Sequence, residues 1–315
     1  MKPRVLWTNQ VPENHFEPLH GVAEVVCGGE GMTPMRREEV LTCIDGFDAV
    51  VNQAELRVDD ELLDAAPRLR VVANVAIGTD NFDRVAMRRR GVVGTNVPDA
   101  FIDATADATL ALLLALSRRI PAADRYVRHG RWPGDGFQPG AWDGMELRDK
   151  TMGVVGFGRI GRAVARRAEA FGMDVLFHAR SGTGEPRWRS LDALLSESDV
   201  VSLHLPLTQE TRGLIGPAQL ERMRRSALLI NMARGPVIDE AALADALRRG
   251  GIAGAALDVF ESEPHVPPEL SAMSNVILTP HLGGGTRESR RRARRACASD
   301  VARVLQGQQP WYPVT

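Results

Sequence analysis

Short apolar runs alternate with stretches of helical apolar spacing along almost the whole chain. That alternation predicts parallel strands covered by helices. Residues 4–9, 23–27, 48–52, 70–75 and 92–96 read as strands. Between them, 59–66 reads as a helix that Asp59 or Asp60 is placed to cap. A long helix is expected over 101–119, introduced by Asn96-Val97-Pro98-Asp99 and ended by Pro121. Its Ala- and Leu-rich middle is apolar on more than one face, as in a helix buried between layers. Residues 128–149, rich in Gly, Pro and Trp, read as an extended loop. From Lys150 a second series of strands follows, over 152–157, 175–179, 199–205, 227–231, 255–259 and 276–279. The last helix runs from 287 to about 306, with Ala293, Ala296, Cys297, Val301, Val304 and Leu305 as its apolar stripe. The arginines between 290 and 295 mostly take the other side, which predicts a solvated face.

The expected fold class is α/β, with two doubly wound parallel-sheet domains and a cleft between them. A chain of 315 residues exceeds what one core comfortably supports. Five strands in the first hundred residues resemble a flavodoxin-like unit, and six in the later span fit a Rossmann-type sheet. The first domain is expected to be discontinuous, 1–99 plus 285–315, with 100–284 inserted. The two chain crossings, near Pro98 and Gly284, would form a hinge.

Composition narrows the function. A formal net charge of -1 gives no global attraction to nucleic acid or to an anionic membrane. Cys27, Cys43 and Cys297 are scattered, without metal-ligand spacing or an even count for a disulfide framework, so no metal site is expected. Reduced thiols, a short apolar run at the N-terminus and no span-length apolar stretch point to a soluble, cytoplasmic protein. No internal repeat or low-complexity tract is evident.

The first motif with chemistry is Gly156-Phe157-Gly158-Arg159-Ile160-Gly161, between a strand and a helical run. Its glycines permit a tight turn, close approach of a pyrophosphate and close helix–strand packing. An NAD-selective site places an acid at the end of the next strand, roughly 20 residues on. Ala179 stands there instead, followed by Arg180 and Ser181. These two residues suit a 2′-phosphate, and no carboxylate in the segment would repel it. NADP(H) is therefore favoured. The alternative is that Arg180 stacks on the adenine, which leaves NAD(H) possible.

Three further segments follow strands of the second series: Asn231-Met232-Ala233-Arg234-Gly235, Asp258-Val259-Phe260-Glu261-Ser262-Glu263-Pro264 and Thr279-Pro280-His281-Leu282-Gly283. A fixed cation, a histidine and a carboxylate tuning that histidine would suffice, beyond hydride, to reduce a 2-keto acid. In these segments the chain resembles the D-isomer-specific 2-hydroxyacid dehydrogenase family, which includes glyoxylate/hydroxypyruvate reductases. The resemblance spans essentially the whole chain and implies Arg234, Glu263 and His281 as the catalytic set. Arg234 would grip the substrate, His281 exchange the proton, and Glu263 orient the ring and favour its charged form.

The resemblance extends to Asn74-Val75-Ala76-Ile77-Gly78-Thr79-Asp80-Asn81-Phe82-Asp83 and implies that the N–H groups of Ile77 and Gly78 bind the substrate carboxylate. Thr79 departs from the bulkier aromatic of many relatives. Asp258 resembles the residue that binds the nicotinamide carboxamide. His204-Leu205-Pro206 with Thr211 resembles the loop lining the cofactor's ribose side, where His204 reads as a packing residue. Met232 and Gly283 complete the implied cofactor contacts.

Family dimers use the helix over 101–119 and the tryptophan loop. A homodimer is accordingly expected, with Trp132 or Trp142 as candidates to reach a neighbour's pocket. The favoured reaction is NADPH-dependent reduction of glyoxylate or hydroxypyruvate to the D-2-hydroxy acid. Reduction of 2-ketogluconate or of a bulkier 2-keto acid, and oxidation of phosphite, are rivals within the family. Phosphoglycerate dehydrogenation in its longer form is disfavoured by a chain ending at Thr315. A nicotinamide-sensing corepressor is the rival of another class, disfavoured by the absence of regulatory tails.

Overall fold

The computed structural model describes residues 2–31, 33–180 and 184–315. It divides into two compact units, Met1–Phe101 with Gly285–Thr315, and Ile102–Gly284.

The first unit holds β1 (Arg4–Trp7), β2 (Glu24–Cys27), β3 (Ala49–Asn52), β4 (Val71–Asn74) and β5 (Val93–Thr95). They form one parallel sheet in the order β2-β1-β3-β4-β5, the flavodoxin-like order. Every residue of β3 and β4 is buried, so these strands read as unbroken apolar runs closed by an asparagine. Asp59 caps helix Asp60–Ala65, its carboxylate accepting the Leu62 N–H at 3.3 Å.

The returning helix, Arg287–Leu305, lays Ala293, Cys297, Val301 and Leu305 into the same core as Val71 and Ala73. One arginine departs from the expected solvated face. Arg294 is only 3% exposed, and one of its guanidinium nitrogens (NH1) reaches His15 Nδ1 at 3.2 Å. Position 294 falls on the flank that packs against residues 13–19, so the burial stripe is wider than the apolar residues alone indicate.

The second unit holds β6 (Thr151–Val155), β7 (Asp174–His178), β8 (Val200–Leu203), β9 (Leu228–Asn231), β10 (Gly254–Leu257) and β11 (Val276–Leu278). Their parallel order is β11-β10-β9-β8-β6-β7, and a parallel bridge from Phe177 to Trp188 extends the sheet beyond β7. Counting that bridge, the order is that of a dinucleotide-binding sheet, with the direction of winding reversing between β6 and β8. Helix Ile102–Ser117 packs on helix Arg159–Ala170 and buries Ala106, Leu110 and Leu113.

Pro121 does not act as a stop. Arg119 turns the chain in the left-handed region, and Pro121 sits in the first turn of a new helix, Ile120–Arg128, where no N–H is needed. A short helix, Arg131–Asp135, also occupies part of the span read as extended loop. No helix among the described residues is long and apolar enough to cross a membrane.

Candidate active site

At the end of β6 the three fingerprint glycines have three different reasons to be glycine. Gly156 has φ +95°, and a Cβ there would lie 2.4 Å from the His204 carbonyl oxygen. A Cβ on Gly161 would lie 2.1 Å from the Gly156 oxygen. Gly158 has no atom within 4 Å of where its Cβ would be, so the chain there is open to a ligand. Helix Arg159–Ala170 starts after Gly158 with no side chain capping it, and its first N–H groups suit a pyrophosphate. Arg159 is exposed at that helix start, while Ile160 packs partly into the core. The position, at the reversal of winding, is where doubly wound sheets take ligands.

After β7, the Ala179 carbonyl accepts the Trp188 indole N–H at 3.1 Å and Arg180 is exposed. Ser181 lies outside the described residues. The segment itself carries no acid, yet the loop after β8 brings Glu210 within electrostatic reach of Arg180. The Glu210 carboxyl is held below its usual range by the Thr208 hydroxyl, by a backbone N–H and by the Arg180 charge. That loop braces itself. Thr211 Oγ1 donates to the Pro206 oxygen at 2.7 Å and accepts the Thr208 N–H at 2.7 Å. Leu205 packs against the core, and Pro206 is exposed. His204 Nε2 meets Ser202 Oγ at 2.8 Å, and burial pushes the imidazole down to about 3, so it stays neutral.

The candidate catalytic residues stand on the loops after β9, β10 and β11. The Asn231 side chain closes the first loop, donating to the Arg234 oxygen at 3.0 Å and accepting the Ala233 N–H at 3.0 Å. Arg234 therefore leaves the strand at a fixed angle. Gly235 packs on the 260–261 peptide; a Cβ would come within 1.8 Å of the Phe260 carbonyl carbon.

In the second loop the Phe260 N–H donates to Glu263 Oε1 at 3.1 Å, and Glu263 Oε2 meets His281 Nδ1 at 2.8 Å. Burial alone would raise the Glu263 carboxyl. The hydrogen bond and charge of His281, the Phe260 N–H and the Arg234 charge outweigh it and hold the group below its usual range. Nδ1 of His281 being taken, Nε2 is the nitrogen left for a substrate.

Asp258 organises the third loop. Its Oδ1 accepts the Thr279 hydroxyl at 2.6 Å and the Leu282 N–H at 2.8 Å, and its Oδ2 accepts the Gly283 N–H at 2.8 Å. Its backbone oxygen takes the His281 N–H at 2.9 Å. These bonds bracket His281, which is held at φ +51°, a costly conformation for a non-glycine residue. With three of its roughly four lone-pair positions filled, Asp258 keeps about one for a cofactor amide. Met232 and Gly283 close the same corner: a Cβ on Gly283 would lie 2.8 Å from the Met232 methyl. The bracket role of Asp258 is not legible in the sequence, because its partners lie more than 20 residues along the chain.

In the other unit, the loop after β4 is pulled taut by its carbonyls. The oxygens of Ala76, Ile77 and Gly78 accept from the Val97 N–H, Asn96 Nδ2 and Asn74 Nδ2 respectively. No hydrogen bond from the N–H of Ile77 or Gly78 forms among the described residues. Thr79 accepts from Arg84 at 2.7 Å. Trp142 packs against Tyr126 and under Arg119, whereas Trp132 is half exposed.

Residues 110–283 match the model of the D-isomer specific 2-hydroxyacid dehydrogenase, NAD binding domain. The chain is 44% identical to a glyoxylate reductase of Thermococcus kodakarensis, over 98% of this chain and 95% of that one. A Thermus thermophilus crystal structure superposes with a TM-score of 0.93 at 41% identity, covering 99% of this chain and 100% of that one. An NADPH-dependent glyoxylate/hydroxypyruvate reductase from Sinorhizobium meliloti, in complex with NADP and malonate, gives 0.87 at 32% identity, covering 100% and 97%.

Proposed function

The chain belongs to the D-isomer specific 2-hydroxyacid dehydrogenase family, and as such an oxidoreductase we propose that it reduces glyoxylate or hydroxypyruvate with NADPH. The observation that carries the reading is the Glu263–His281 pair at 2.8 Å with the Arg234 charge acting on the same carboxylate.

In the proposed reaction the Arg234 fork grips the substrate carboxylate and the carbonyl oxygen, and its charge stabilises the developing alkoxide. The family resemblance also implies substrate-binding roles for the N–H groups of Ile77 and Gly78. His281, protonated and steadied by Glu263, delivers its Nε2 proton to the alkoxide. The nicotinamide, when bound, supplies the hydride to the carbonyl carbon. Glyoxylate plus one hydride and one proton gives glycolate, and hydroxypyruvate gives D-glycerate. Residues 102–284 are assigned to the cofactor and the other unit to the substrate. Rates with glyoxylate, hydroxypyruvate, pyruvate, phenylpyruvate and 2-ketogluconate, each with NADPH and with NADH, test the assignment. The first two acids are expected to lead; a lead by 2-ketogluconate or phenylpyruvate overturns the substrate choice.

The preference for NADPH rests on Arg180, whose guanidinium suits a 2′-phosphate. Removing one charge-assisted hydrogen bond costs about 1.5–3 kcal/mol. Arg180→Ala is therefore expected to raise the NADPH KM by about 10- to 100-fold and leave the NADH KM unchanged. An unchanged ratio of the two cofactors refutes the role.

The protein is further proposed to be a cytoplasmic homodimer. Free Cys27, Cys43 and Cys297 suit a reducing compartment. Ile120, Val127, Trp132 and Phe137 expose large apolar surface on one stretch of chain, which suits a subunit contact. Sedimentation equilibrium should give twice the chain mass for the parent protein and one chain mass for Trp132→Ser/Phe137→Ser. A monomeric parent contradicts the dimer.

A further inference from the structure

Glu240 is a carboxylate only 8% exposed, in the first turn of helix Glu240–Arg248. That helix does not need it as a cap, because Asp239 already accepts the Ala242 N–H at 2.9 Å. Glu240 Oε1 instead accepts the N–H of Glu261, 21 residues on, at 2.6 Å. The peptide so held is the one that packs on Gly235, next to Arg234. It is gripped from two sides. From the same turn the Phe260 N–H holds Glu263, and Glu263 holds His281. The contacts therefore run without a gap from Glu240 through 260–261 to Glu263 and His281, with the neighbour of Arg234 as the second support.

The local electrostatics are unusual for a residue serving only as glue. Burial raises the Glu240 carboxyl, and the charges of Glu261 and Glu263 raise it further, against the Glu261 N–H and His265. A buried acid among acids costs stability, and a neutral acceptor would hold the same N–H more cheaply.

We propose that Glu240 is a positioning residue for the reaction: its carboxyl group fixes the 260–261 peptide and thereby keeps Glu263 in register with His281 and Arg234. This rests on the reading of Glu263 and His281 as the proton-transfer pair. Glu240 acts through Glu263 and does not itself exchange the proton.

Substitutions at Glu240, alone and in a Glu263→Gln background, test it. Glu240→Ala is expected to lower kcat for glyoxylate by about 10- to 100-fold, since small misplacements of catalytic groups are that costly. The NADPH KM should stay unchanged. Glu240→Gln keeps a carbonyl acceptor and should retain most activity. Glu240→Asp, one methylene short of the 2.6 Å contact, should behave like the alanine variant and covers the case in which alanine does not fold. In a Glu263→Gln background, Glu240→Ala should have little further effect. The ring resonances of His281, followed by NMR, should move in Glu240→Ala and Glu240→Asp but little in Glu240→Gln. A loss of melting temperature with kcat and the His281 ring resonances unmoved overturns the proposal. So does a full additional loss of kcat in the Glu263→Gln background. The NMR readout needs no turnover. If the parent protein reduces none of the acids, the functional reading fails while the link from Glu240 to His281 is still decided.

Discussion

Replacing His281 by asparagine is expected to lower kcat for glyoxylate reduction by about 10²- to 10⁴-fold, the usual contribution of a positioned general acid. The choice of asparagine matters. His281 sits at φ +51°, and asparagine tolerates that region better than most residues. The Asp258 bracket, made through backbone N–H groups and Thr279, survives the substitution. The variant thus removes a proton donor and leaves the loop in place, so NADPH binding by fluorescence titration should be unchanged. Turnover close to the parent would remove His281 from the mechanism.

Arg234→Ala carries the second large effect. Two charge-assisted hydrogen bonds to the substrate, at about 1.5–3 kcal/mol each, put the loss in kcat/KM at about 10²- to 10⁴-fold. Arg234→Lys keeps the charge and loses the fork, so it should recover only part of this. A second consequence follows from Glu263. Its carboxyl is held below the usual range against the opposing effect of burial, and Arg234 is one of the charges responsible. A depressed carboxyl keeps its paired form above the ordinary carboxylate range and loses it as pH falls through the lowered value. Without Arg234 that value moves up, and the acid limb of kcat/KM against pH should move up with it. An unmoved acid limb would separate Arg234 from Glu263.

The strands were legible because parallel strands buried on both faces read as apolar runs, as in 71–74 and 200–203. The fingerprint was legible because turn geometry writes glycine directly into the sequence, and Gly156 bears this out with its positive φ. Pro121 is ambiguous in the sequence because the same residue that ends one helix also begins another, and only the left-handed turn at Arg119 decides between them. Arg294 looked solvated because arginine is usually exposed, while its burial depends on packing against residues 13–19.

The site divides in the same way. Arg234, Glu263 and His281 were legible as motifs, each on a loop after a strand. Their supports were not. Asp258 and Glu240 act on N–H groups more than 20 residues away, and two adjacent acids at a helix start look alike although Asp239 caps and Glu240 reaches across. Glu210, which shares the surroundings of Arg180, lies 30 positions along the chain and no local pattern announces it.

The most direct test of the central claim follows the hydrogen itself. Glyoxylate is reduced with NADPH deuterated at both C4 positions, and the glycolate is analysed by mass spectrometry and proton NMR. One deuterium at C2 of every glycolate formed is the result the account requires. Glycolate without deuterium, or NADPH left unoxidised by any of the five acids while binding the protein tightly, would contradict it.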